Sequence, residues 1–291
     1  MGAYTEGGVR RVPSRLGRSD ASMGRAVRQG GLTVHSRAFE PDGRTEREQA
    51  FHDGLAESGF RGRRLLNMLS AGLYDKDILW EPVWRSIGDL HGKRVLDYGC
   101  GVGDFSGALW KRGARVHGID ICEGLVTQAE TSFPQDARPA PVFQVMDAHA
   151  TSFPDGFFDH VFGNGILHHL DLDAALSEIA RVLRPGGSAF FQEPLAGHPW
   201  VRLVRRLTPR ARSADERPLT WGDIDRIRRH FRSVEHTEIY LVTPMAAPLS
   251  LLGSGTARWT TRRLKTIDDG LFRLFPRSRR LAWLTMLALW K

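Results

Sequence analysis

The chain has 291 residues with 41% hydrophobic content, enough for one sizeable core with additions. Its two cysteines, Cys100 and Cys122, exclude a disulfide framework and suit a reducing cytoplasm, and neither has a metal-ligating partner at useful spacing. No run is long and apolar enough to span a bilayer, and no early apolar segment reads as a signal peptide.

The net charge of +8 sits at the two ends. Through Arg37 seven arginines face Glu6 and Asp20, and from Arg258 onward nine basic residues face Asp268 and Asp269. The body between them is left with about −4, which argues against nucleic acid as its partner.

Residues 1–40 are rich in Gly, Ser and Arg and read as a disordered basic tail. Residues 41–91 read as helical in at least two pieces. Residues 46–55 carry Phe51 and His52, and residues 65–79 carry Tyr74 among apolar residues at helical spacing. The next segment, KRVLDYGCGVGD at 93–104, is the most specific. Val95 and Leu96 form a short β run with Asp97 at its carboxyl end, and Gly99, Gly101 and Gly103 follow at once. Asp104 then reads as the N-cap of a helix bearing Phe105, Ala108 and Leu109.

A strand, glycine loop and helix in this order form a nucleotide-type site beyond the strand's carboxyl end. The spacing is G-x-G-x-G rather than the G-x-G-x-x-G of dinucleotide sites, and Asp97 would repel a pyrophosphate. An acidic loop suits a cationic, phosphate-free ligand. S-adenosylmethionine fits, with Asp97 accepting from its ammonium. Residues 114–119 read as a second strand ending at Asp120, at the spacing where an acidic residue takes a ribose hydroxyl pair. A third, 141–146, ends at Asp147 and Ala148, a position suited to the adenine amine. A fourth, 160–162, ends in Gly163-Asn164-Gly165. Helix 172–183, a turn at 184–187 and a fifth strand at 189–192 lead to Glu193-Pro194. Strands at 238–242 and 282–290 complete the pattern.

The stretches VLDYGCGVG, GID, MDA, FDHVFGNGILHHL and LRPGG, in this order, resemble the class I S-adenosylmethionine-dependent methyltransferases. The likeness is greatest to the broad group that includes quinone C-methyltransferases and many small-molecule methyltransferases, and it covers about residues 92–240. It implies an α/β fold with a doubly wound, seven-stranded, mostly parallel Rossmann-like sheet in the order 3-2-1-4-5-7-6. An N-terminal helical lid would occupy 41–91, and the core with its helical insertions 92–291. It implies S-adenosyl-L-methionine as cofactor, leaving as S-adenosyl-L-homocysteine. Gly99, Gly101, Asp120, Asp147 and Asn164 would line it, with Asp97, Cys100, Gly103, Ile121 and Ala148 beside them.

Methyl transfer to a hydroxyl or amine needs a base. His168 and His169 in GNGILHHL are the candidates, with Glu193 at the neighbouring strand end as the orienting carboxylate. Insertions at about 194–220 and 244–280 overhang the same edge of the sheet and are expected to form the acceptor pocket. His198, Trp200 and Arg212 there, with Phe51, His52 and Tyr74 of the lid, are the candidate acceptor contacts. The acceptor is expected to be small, lipophilic or a specialised metabolite, taking the methyl on O, N or C. An isoprenoid- or quinone-type lipid methylated at a membrane surface is the alternative. The basic, aromatic stretch at 244–280 suits peripheral membrane contact or a homo-oligomer interface. A flipped-base methyltransferase reading lacks its Pro-Pro after the fourth strand, and no tyrosine has a lysine four residues on, as short-chain dehydrogenases require.

Overall fold

Strand alternation and glycine turns build a seven-stranded sheet in the computed structural model, which describes residues 43–57, 76–134, 136, 138–207, 213 and 215–291. These belong to the unit Val34–Lys291. The tail at 1–40, Tyr74 and Arg212 lie outside the described residues.

In chain order the elements are α1 (Gly43–Glu57), α2 (Lys76–Ile87), β1 (Arg94–Tyr98), α3 (Asp104–Trp110), β2 (Arg115–Asp120), α4 (Glu123–Thr131), β3 (Val142–Val145) and β4 (Phe158–Asn164). Then follow α5 (Leu172–Val182), β5 (Leu183–Pro194), α6 (Pro199–Leu207), α7 (Trp221–Ile227), β6 (Ser233–Ile239), α8 (Ser254–Leu274) and β7 (Leu284–Trp290). The sheet order is β3-β2-β1-β4-β5-β7-β6, as the resemblance implied. β1 to β5 run parallel, and β7 is antiparallel to both β5 and β6.

Period-two alternation places successive residues on opposite faces. Leu96, Val161 and Phe191 pack on one side with Leu176 and Ile179 of α5. Val95, Phe162 and Phe190 pack on the other with Phe105 and Leu109 of α3. There Trp80 of α2, fully buried, lies 4.4 Å from the Phe105 ring and 6.0 Å from Phe162.

Several boundaries differ from expectation for physical reasons. The turn expected at 184–187 is part of β5, because a register shift between Phe158 and His160 lets the ladder with β4 continue past Gly186. β6 starts five residues before the expected 238, since its exposed face is polar (Glu235, Thr237) and hides the alternation. It ends where Tyr240 takes φ 68°, and β7 starts at Leu284 rather than 282. Gly103 is the N-cap of α3, with φ 82°, and Asp104 is its first helical residue.

Candidate active site

The glycine loop leaves β1 at the carboxyl edge of the sheet, where the strand order reverses between β1 and β4. The Gly99 and Cys100 amides donate to the Ile119 carbonyl of β2, at 2.9 and 2.8 Å, so the loop folds across its neighbour. Gly99 has φ 79°, and a Cβ there would lie 2.8 Å from Ile166. Gly101 has φ 51°, and a Cβ there would meet nothing within 4 Å, because it would project into a cavity.

That cavity, about 190 Å³, is walled by Gly99 and Gly101, by Ile119, Asp120 and Ile121 after β2, and by Met146, Asp147, Ala148 and His149 after β3. Gly165, Ile166 and His169 after β4 close one side, and Arg44, Thr45, Glu48 and His52 of α1 cover it. Asp120 is oriented by backbone: Gly101 N–H donates to Oδ2 at 2.9 Å and Cys122 N–H to Oδ1 at 3.0 Å. At Asp147 the His149 backbone N–H donates to Oδ1 at 2.8 Å, and the His149 ring Nδ1 lies 2.7 Å from the same oxygen. The other ring nitrogen accepts from Asp171 N–H at 2.9 Å, so the proton belongs on Nδ1, facing the carboxylate. Burial pushes the Asp147 carboxyl up, but the His149 bonds and one from Thr45 outweigh it and hold the group below its ordinary range. The Tyr98 hydroxyl donates to the Ala148 carbonyl, pinning the β3 exit loop to β1.

Two imidazole–carboxylate pairs meet at the turn Leu167–His169. Glu193, fully buried at the end of β5, accepts from Ile166 N–H at 2.9 Å and Leu167 N–H at 2.8 Å through Oε1. Its Oε2 lies 2.7 Å from His168 Nδ1. The second pair crosses 121 residues: His169 Nδ1 lies 3.0 Å from Glu48 Oε2 of α1. Glu48 is 6% exposed and also accepts from the Ser213 hydroxyl. Burial raises its pKa, but bonds from His169 and Ser213 prevail and lower it, so Glu48 is ionised at neutral pH. The imidazoles of His168 and His169 are 4.2 Å apart, and His52 stands 5.4 Å from His169.

Residues 96–191, from β1 to β5, match the family described as a methyltransferase domain. Over these residues, about a third of the chain, the sequence is similar to methyltransferases. Malonyl-[acyl-carrier protein] O-methyltransferase of Serratia marcescens is 34% identical over 113 residues, covering 38% of this chain and 42% of that protein. Demethylmenaquinone methyltransferase of Lactococcus lactis is 30% identical over 160 residues, covering 50% and 62%. The fold is similar to that of Haemonchus contortus phosphoethanolamine N-methyltransferase 2, with a TM-score of 0.57 at 20% identity, over 83% of this chain and 60% of that one. The chain thus spans less than two thirds of the length of each of these relatives.

In this protein the wall gathers Gly99, Gly101, Asp120, Ile121, Asp147 and Ala148 of the candidates read from the sequence, with His52 and His169. Other candidates lie elsewhere. Asp97 is 1% exposed behind the loop, accepting from the Ser106 hydroxyl of α3 at 2.5 Å. Cys100 is buried, and burial with Asp97 and Asp120 nearby pushes its thiol far up. Gly103 faces Ala129 and Phe133, where it lets α3 approach α4. Asn164 is exposed at the end of β4, because Gly165 turns the chain and gives the wall to itself and Ile166.

His168 stands outside the wall, behind His169, with its backbone carbonyl accepting from Arg217 N–H at 2.9 Å. Phe51 stands edge-on to His52 and is not in the wall. His198 is a staple: its Nε2 bonds the Leu241 carbonyl at 2.8 Å and its Nδ1 accepts from Val201 N–H, while burial lowers its pKa. Trp200 is 51% exposed. No described residue of 194–220 or 244–280 is in the wall of this cavity, although Ser213 and Asp215 hold α1 over it. Glu48, Arg44, Thr45 and His149 escaped the sequence reading. The only trace of Glu48 was its i, i+4 spacing to the candidate His52 on one helix face.

Proposed function

We propose that this protein is an S-adenosylmethionine-dependent methyltransferase of a small-molecule hydroxyl or amine, with His169 as the proton acceptor and Glu48 as the residue that positions it. The observation that carries the reading is the charge and shape of the cavity. Among the described residues, Glu48, Asp120 and Asp147 face it against one guanidinium, that of Arg44, and a glycine without a side chain opens it at position 101. A phosphate-bearing dinucleotide is repelled there, whereas a cationic, phosphate-free adenosyl donor fits. Asp120 would hold the ribose hydroxyls, and Asp147 with the backbone at Ala148 would hold the adenine end. When bound, the donor supplies an electrophilic methyl on a sulfonium.

The chain's own residues supply alignment and proton removal. An ionised carboxylate only accepts hydrogen bonds, so Glu48 draws the His169 proton to Nδ1 and leaves Nε2 with its lone pair. An acceptor hydroxyl or amine in the cavity would give its proton to Nε2 as it becomes the nucleophile. The imidazolium so formed is stabilised by Glu48. The adjoining pair His168–Glu193 fixes the turn from which His169 projects.

α1 acts as the lid. Arg44 Nε donates to the His169 carbonyl at 3.0 Å, and Arg47 makes a two-pronged pair with Asp215 at 2.7 and 3.1 Å. Closure of α1 therefore delivers Glu48 to His169 and excludes water in one movement. The acceptor range is that of small metabolites, among which O-methyl acceptors suit the base best.

Transfer of label from methyl-labelled S-adenosylmethionine to a panel of small phenols, acids and amines tests this. His169→Ala should lower turnover about 100-fold while leaving S-adenosylhomocysteine affinity within about twofold. Glu48→Gln should lower the rate less and move the rate–pH profile, because the imidazole loses its anionic partner. Full turnover in His169→Ala, or a Glu48→Gln profile superimposable on wild type, would overturn the assignment.

A further inference from the structure

The inner and outer faces of α8 both carry apolar residues, and among the described residues the inner ones are covered while the outer ones are exposed. Ala257, Thr261, Asp268 and Phe272 are buried against the body, and Asp268 anchors the helix by accepting from the amides of Leu241, Val242 and Thr243 and the Thr243 hydroxyl. On the opposite side Trp259, Ile267 and Leu274 are 61%, 52% and 75% exposed, and Phe275, just past the helix end, is 61% exposed. At 100° per residue Trp259, Ile267 and Leu274 fall within about 80° of one another, a stripe about 22 Å long. Globular helices place apolar residues toward the core and polar ones outward, so a second stripe facing outward has a use other than folding.

Charge selects the partner. Residues 253–281 carry eight basic side chains against Asp268 and Asp269, a net +6 of the chain's +8. The exposed Arg258, Arg262 and Arg273 flank the stripe, and Arg263 lies within it with its guanidinium 5.6 Å from the Trp259 ring. A second copy of this chain would bring like charge to like charge. Nucleic acid would use the arginines but not Ile267 and Leu274. An anionic bilayer surface uses both, with arginines at the headgroups and Trp, Ile, Leu and Phe in the acyl boundary. α6 repeats the pattern, exposing Trp200, Leu203 and Leu207 beside Arg202 and Arg206. It starts beside the same region, since a Cβ on Gly197 would collide with the Arg280 carbonyl.

We infer that the outer face of α8 docks the protein on anionic lipid. No described helix is long and apolar enough to cross a membrane, so the contact is peripheral. The inference stands apart from the methyl-transfer reading, because α8 contributes nothing to the cavity wall.

Co-sedimentation of the full chain with vesicles tests it, using phosphatidylcholine alone and phosphatidylcholine with about one third phosphatidylglycerol. Binding is expected only to the anionic vesicles, weakening as salt is raised. The double variant W259S/L274S should bind about tenfold more weakly, and R262E/R263E at least as weakly. All these positions are exposed, so unchanged circular dichroism and Tm are expected and loss of fold can be recognised. Absence of binding to anionic vesicles overturns the inference, and so does binding that W259S/L274S leaves unchanged. Tight association with RNA that displaces the vesicles would assign the face to nucleic acid instead.

Discussion

His160 sits in the middle of β4 with its ring Nδ1 2.8 Å from the Ser188 hydroxyl of β5. Burial, with Arg184 and Lys93 nearby, lowers its pKa to about 4 against the pull of Asp159. His117, packed edge-on against Phe153, Phe157 and Phe158, is lowered by burial in the same way. A histidine whose folded pKa is depressed binds fewer protons when folded than when unfolded once the pH falls below the unfolded value. Stability therefore rises with pH across that window. For His160 the contribution is fully present above about pH 6.5 and is lost as the pH falls toward about 4. Urea unfolding at pH 7 and pH 5 should show a lower midpoint at pH 5, and His160→Gln should reduce that difference. An equal drop in wild type and variant would place the acid sensitivity elsewhere.

Residue identity alone led to residues of the cavity wall where a local motif marked a strand end. Asp120 and Asp147 could be placed at strand ends from three-residue words such as GID and MDA, and both reach the cavity. It failed where the partner came from far along the chain. Glu48 looks like any exposed helical glutamate until α1 lies over the turn, because its contact with His169 spans 121 residues. Asp97 shows the converse: its motif is right, yet its carboxylate serves Ser106 behind the loop.

At the scale of elements, the turn after β4 depends on one carboxylate. Glu193 satisfies the Ile166 and Leu167 amides and the His168 ring from a fully buried position, so it closes the end of β4 against the end of β5. Glu193→Ala leaves those donors without an acceptor and should cost about 3 kcal/mol, measured by denaturant unfolding. Glu193→Gln keeps one acceptor oxygen and should cost less. A loss under about 1 kcal/mol in the alanine variant would mean that the turn finds other partners. α7 is secured more conventionally, by a capping box in which the Thr220 hydroxyl accepts from Asp223 N–H while the Asp223 side chain accepts from Thr220 N–H. Thr220→Ala should therefore cost about 1 kcal/mol. The parallel half of the sheet was legible because buried apolar strands alternate with helices. The boundaries of β5 and β6 were not, since a glycine-rich run can continue a ladder and an edge strand wears polar residues.

At the scale of the whole molecule, the chemistry and the charge occupy different places. The cavity at the β1–β4 switch point is acidic and covered by α1, whereas the positive charge of α8 faces outward. This separation reconciles a pI near 10 with the cationic ligand proposed for the cavity. It also ties folding to binding, because the wall draws on α1 as well as on the loops after β1, β2, β3 and β4. A ligand that joins these parts should raise the stability of the whole, by about 2.7 kcal/mol at a hundredfold excess over Kd.

Calorimetric titration with S-adenosylhomocysteine probes the central assignment most directly. Saturable one-to-one binding is predicted, weakened at least about tenfold in Asp120→Ala, which removes the carboxylate expected to hold the ribose. Absence of binding, or binding of NAD in its place, would contradict it.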